Sequence, residues 1–134
     1  MTRIRWLAIL ATLLVFVALA LPGALLEAIR LWFQTWLPWQ PTPGGGGDFP
    51  TDKVVHALLF AIVATFTARG WRDSFGVMAV VLYMLMLGVA SELIQFFVPG
   101  RSADMLDVVA DLVGSVIGIA YGYFFWGNKK SPAD

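Results

Sequence analysis

The chain has 134 residues, 59% of them hydrophobic and only 13% charged, with a mean hydropathy of +0.77. A soluble domain carries about 25% charged residues, so this composition belongs in a bilayer. Nine basic residues balance nine acidic ones, which gives no reason to expect a nucleic-acid partner, and the absence of cysteine excludes a disulfide framework, a thiolate metal site and a cysteine nucleophile.

The first apolar run, about residues 6–26, reaches the ~20 residues needed to cross a hydrocarbon core. Arg3, Arg5 and the small residues around Ala18 and Ala20 are also compatible with a cleavable signal sequence. The apolar run continues past that point and three more spans follow, so it is read as a retained anchor. Pro22-Gly23 marks a helix end or a kink. From 24 to 39, Leu25, Leu26, Ile29, Trp32, Phe33, Trp36 and Leu37 recur at spacings of three and four, with Glu27, Arg30 and Gln34 between them. This predicts an amphipathic helix lying in the membrane interface with its tryptophans at headgroup depth. Residues 40–50, QPTPGGGGDFP, form a loop; its glycines lack the preceding strand and following GK[ST] of a phosphate-binding loop.

The second span is predicted over 52–71, capped by Thr51 or Asp52 with its first turn in the headgroup region. The third covers about 75–98 and the fourth about 106–126. The expected fold is an all-α membrane protein, a four-transmembrane-helix bundle with an interfacial helix between helices 1 and 2, in one domain over 1–134. Arg3, Arg5, Arg69, Arg72, Lys129 and Lys130 fall on one side and Arg30, Lys53 and Arg101 on the other, which by the positive-inside rule puts both termini in the cytoplasm.

Polar residues then collect near the outer surface. His56, the single histidine, lies one turn below Lys53, and Glu92 lies about 9 Å before the end of the third helix at Val98, at ~1.5 Å of rise per residue. Gly88, Glu92 and Gln95 share a face of the third helix. On the fourth, Asp104, Asp107, Asp111, Gly114, Gly118 and Gly122 make one stripe at spacings of three and four. Glycines in such a stripe let helices approach closely, so the carboxylates on the same face point into the bundle. Intramembrane ionisable residues are functional candidates by default. Each also has a structural reading: Lys53 and Arg101 pair with Asp52 and Asp104, His56 and Gln95 act as hydrogen-bonded packing residues, and Asp107 complements the helix dipole.

The segments TDKVVH (51–56) and SELIQFFVPGRSADMLDVVADLVGSVIG (91–118) resemble the VanZ-like family of small membrane proteins. The resemblance is carried by Asp52, Lys53, His56, Glu92, Gln95, Pro99, Gly100, Arg101, Asp104, Asp107, Gly114 and Gly118. Asp111 departs from it, since the family usually has asparagine there. The resemblance implies a link to glycopeptide (teicoplanin) resistance and a similarity to membrane enzymes that exchange or cleave lipid head groups, including phosphatidylserine synthases.

Two readings follow. In the first, the protein hydrolyses or transfers a phosphate-linked head group of a membrane lipid or a lipid-linked envelope precursor. His56, Glu92 and Asp107 are then the catalytic candidates, Lys53, Gln95 and Arg101 the substrate-binding ones, and Asp52, Asp104 and Asp111 supporting polar groups. Asp52, Glu92, Asp104, Asp107 and Asp111 outnumber Lys53 and Arg101, so phosphate binding requires protonated carboxyls or a divalent cation, Mg²⁺, Mn²⁺ or Ca²⁺. In the second reading the cluster locks helices together or binds lipid without catalysis. A proton-coupled transporter is disfavoured, because four short helices without a repeat offer little machinery for alternating access.

Overall fold

The computed structural model describes residues 2–36, 51–71 and 73–125, and they form helices with no strand among them. The order is α1 (Arg3–Leu19), α2 (Gly23–Trp36), α3 (Thr51–Trp71), α4 (Val77–Phe97) and α5 (Met105–Ala120), the last continued by a π-helical turn over Tyr121–Phe125. Three stretches, Asp52–Trp71, Val77–Phe97 and Met105–Phe124, are long and apolar enough to cross a membrane. Exposed apolar side chains such as Leu14, Leu58, Met86, Leu93 and Val116 cover the outside, while Glu92, Gln95, Asp107 and Asp111 are buried within. That inversion of the soluble pattern is what a lipid solvent selects, and the chain is a membrane protein.

In sequence the first span covers about 6–26 with a helix end or kink at Pro22-Gly23; in the structure α1 ends at Leu19 and the chain turns by 102° into Gly23–Ile29, so the kink falls where expected and the first helix does not continue to 26. Pro22 has no N–H to continue the helical ladder, and its carbonyl starts a new helix by accepting from Leu25 N (3.0 Å) and Leu26 N (3.2 Å). The corner is fastened to the α4–α5 loop, where Gly23 N donates to Pro99 O at 3.2 Å. A Cβ on Gly23 would run into the Gly100 carbonyl, and Gly100 itself has φ +75°, in the left-handed region that favours glycine. A second difference lies at α3, which begins at Thr51, so Asp52 sits within the first turn instead of capping it. There its charge complements the helix dipole. Residues 37–39 of the expected interfacial helix, the loop 40–50, Arg72, Trp126, Lys129 and Lys130 lie outside the described residues.

α3 is the central helix and packs most extensively on α5, then on α1. Gly114, Gly118 and Gly122 lie against the backbone of Ala57, Ala61 and Thr65, one helical turn apart, and a Cβ on any of them would meet a backbone carbonyl. The small residues expected to allow close approach do so against α3. The core below joins Val15 and Leu19 of α1, Phe60, Val63, Ala64 and Ala68 of α3, Val80, Met84 and Leu87 of α4, and Ile119 of α5. At one end of the bundle Arg5 Nε donates to Gly70 O (2.8 Å), and its guanidinium lies 5.8 Å from the Trp71 ring centroid. The start of α1 is thereby pinned to the α3–α4 turn. The start of α3, the end of α4 and the start of α5 meet at the other end, where the acids are.

Candidate functional site

Two polar groups occupy that end, stacked along α5. The outer one is built on Lys53, one turn before His56 on α3. Its Nζ donates to Asp104 Oδ2 at 2.7 Å and to Asp107 Oδ1 at 2.9 Å, and lies 3.5 Å from Asp52 Oδ2. Asp104 is the N-cap of α5: its Oδ1 accepts from Leu106 N at 2.9 Å, satisfying a backbone donor that the helix start leaves free. The Lys53 ammonium, with the Leu106 N–H as a smaller cause, holds the Asp104 carboxyl below the usual aspartate range. The backbone N–H of Asp104 donates to Glu92 Oε2 at 2.8 Å, tying the start of α5 to α4. Lys53, read in sequence either as a cation for substrate or as a partner of Asp52, is flanked by Asp52, Asp104 and Asp107. Asp104, for which one reading offered Arg101 as partner, pairs with Lys53.

The inner group is more deeply buried. His56 (2% exposed), Asp111 (1%) and Glu92 (7%) come from α3, α5 and α4. His56 Nδ1 is 3.0 Å from Asp111 Oδ1, and Ser91 Oγ, which donates to Gly88 O at 2.7 Å, lies 3.5 Å from Asp111 Oδ2. Asp111 sits three residues before Gly114, and Ala57, against which Gly114 packs, follows His56, so the close helix contact brings the imidazole to the carboxylate. One ligand atom each from His56, Glu92 and Asp111 lies within 4.8 Å of the others. Glu92 Oε1 and Gln95 Nε2 are buried without a hydrogen-bond partner among the described residues.

A cavity of ≈ 430 Å³ opens beside this group. Leu19, Leu26, Val55 and Leu59 give it apolar wall, and Glu27, Asp52, His56 and Arg101 give it polar wall. Of the buried triad His56 alone reaches the wall. Arg101 makes no ion pair among the described residues. A family model described as VanZ/LLP1 matches residues 4–126. The chain belongs to the VanZ/LLP1 family. No curated protein and no solved structure matches the chain.

The polar residues that pointed to VanZ/LLP1 thus fall into an ion-paired outer layer of Asp52, Lys53, Asp104 and Asp107, and an inner layer of His56, Glu92 and Gln95, which Asp111 joins, with Arg101 at the cavity. Ser91 and the Gly23–Gly100 contact carry no separate signal in sequence. Ser91 reads as an ordinary small helix residue, and the glycine pair meets across 77 positions of chain. Chemically, this VanZ/LLP1 site offers an imidazole oriented by a carboxylate, a guanidinium for an anion, and a three-atom nest suited to a cation.

Proposed function

We propose that the protein is an integral membrane enzyme that hydrolyses or exchanges phosphate-linked head groups of membrane lipids or lipid-linked envelope precursors. The reading rests on one observation above all: a buried His56–Asp111 pair stands at the wall of a cavity that also presents Arg101. Asp111 accepting from Nδ1–H fixes the imidazole tautomer and leaves Nε2, which makes no hydrogen bond among the described residues, to exchange a proton with substrate. Arg101 supplies the planar donor array that phosphate favours. The apolar wall suits the lipid part of an amphiphilic substrate. Lys53 takes a positioning role, since its two short ion pairs hold the start of α5.

In this proposal α1 is a fourth span and α2 lies in the interface, which its 102° turn from α1 and its exposed Trp32 and Trp36 support. The basic residues near the α1 start and the α3–α4 turn put both termini in the cytoplasm and the polar end outward.

The second reading, a non-catalytic helix lock, draws support from the outer layer, whose ion pairs already look complete as structure. Purified protein in vesicles containing phospholipids and polyprenyl phosphates and diphosphates separates the two by release or exchange of head groups. The enzyme reading expects turnover that His56→Ala and Asp111→Leu abolish and that Arg101→Gln and Glu92→Gln reduce at least tenfold, with helix content retained. No turnover of any of these lipids, or full turnover by His56→Ala, leaves the lock.

A further inference from the structure

We infer that His56, Glu92 and Asp111 bind a first-row divalent cation, Mn²⁺ or Zn²⁺, that joins α3, α4 and α5. The three ligand atoms lie within 4.8 Å of one another, and His56 Nδ1 and Asp111 Oδ1 are already 3.0 Å apart, the separation of neighbouring ligands on an ion with bonds of about 2.1 Å. An independent observation points the same way: Glu92 is 7% exposed and its Oε1 has no hydrogen-bond partner among the described residues, although its Oε2 holds the Asp104 N–H. A buried carboxylate oxygen left bare is costly, and a cation is the ligand that such an atom accepts. Charge supports it as well. Of the buried carboxylates, Asp107 has Lys53 and Asp111 has His56, whereas Glu92 makes no ion pair among the described residues.

The donor set selects the ion. One imidazole with two carboxylates is too poor in oxygen for Ca²⁺, which takes six to eight oxygen ligands, and imidazole favours first-row metals over Mg²⁺. With a cation bound, Nδ1 would no longer donate to Asp111 and the ring proton would sit on Nε2 at the cavity side, so that His56 would donate to a phosphate oxygen in place of the proton exchange open to the cation-free imidazole. Only this last step rests on the proposed function. Cation binding stands on the geometry alone.

The test uses the full chain in lipid nanodiscs, stripped with EDTA and titrated with Mn²⁺ while free Mn²⁺ is followed by electron paramagnetic resonance. The expected result is one saturable Mn²⁺ per chain, displaced by Zn²⁺. Glu92→Gln keeps an acceptor for the Asp104 N–H, and Asp111→Asn keeps a partner for His56; each should weaken binding tenfold or more with helix content unchanged. Asp73→Asn, exposed at the far end of the bundle, should change it less than tenfold. Absence of saturable binding in the wild type, a loss below tenfold in both triad variants, or a tenfold loss in Asp73→Asn overturns the inference. Binding without turnover of any lipid phosphate would sustain the cation site and overturn the enzyme; turnover indifferent to EDTA, with no Mn²⁺ bound, would do the reverse.

Discussion

Replacing Gly114 with alanine should damage both the fold and the site, because one contact sets both. The new methyl would be driven into the Ala57 carbonyl of α3, a distance that real Cβ atoms do not show. Backbone cannot rotate aside, so the cost lies at the upper end of the overpacking range, about 3 kcal/mol. Alanine recovers about 1 kcal/mol of helix propensity, leaving a net loss of about 2 kcal/mol. Gly88 provides the control. Its added methyl would meet Asp111 Oδ2 at 3.3 Å and Asp111 Cβ at 3.5 Å, side-chain atoms that can shift by a few tenths of an ångström. Gly88→Ala should therefore stay within about 1 kcal/mol of wild type. Unfolding in mixed detergent micelles titrated with SDS, followed by far-ultraviolet circular dichroism, measures both. As α3 moves off α5, the 3.0 Å His56–Asp111 pair should open and chemical shifts of the His56 ring should change in Gly114→Ala. A Gly114→Ala protein as stable as Gly88→Ala, with His56 undisturbed, would refute the packing argument.

The Asp104 carboxyl is held below its ordinary range by Lys53 and the Leu106 N–H, so its stabilisation is full above about pH 4, the unfolded value, and is lost as pH falls through the lower folded value; Asp104→Asn, still able to cap α5, should flatten that acid limb of the stability profile, and an unchanged limb would contradict the assignment. Lys53→Met leaves the buried Asp107 without its cation and should speed hydrogen exchange at the amides of Leu106 and Asp107 while sparing Gly70 to Phe75 at the far end; equal protection in the variant would show that the ion pairs do not hold the start of α5. In this cysteine-free chain, Ser74→Cys should react with a membrane-impermeant reagent only from the cytoplasmic side and Ser102→Cys only from the outside; labelling of both from one side would overturn the topology.

Much of this site was legible from spacing alone. The face of α4 bearing Gly88, Glu92 and Gln95 and the stripe of α5 from Asp104 to Gly122 follow the helical period, and residues three and four apart must share a side whatever they touch. The identity of each partner was not legible, because it depends on helix separation and rotation. Sequence offered Lys53 as a cation for substrate or a partner of Asp52; its ammonium reaches Asp52 and, beyond what spacing shows, Asp104 and Asp107. Arg101 was one partner offered for Asp104, whose carboxylate instead caps Leu106 and meets Lys53. The corner at Pro22 was signalled as an end or kink, but its 102° angle is set by Gly23 docking on Pro99 and Gly100, a contact between distant segments that no local pattern encodes.

In the proposed function the cavity beside His56 receives a lipid phosphate, and a structure determined from nanodiscs that contain the most active lipid, or a non-hydrolysable phosphonate analogue of it, would show it. Phosphate density is expected within hydrogen-bond distance of both the Arg101 guanidinium and His56 Nε2, with the acyl or prenyl chain along Leu19, Leu26 and Leu59. Ordered lipid elsewhere on the bundle, with Arg101 and His56 closed on each other or on protein carboxylates and no phosphate between them, would contradict it.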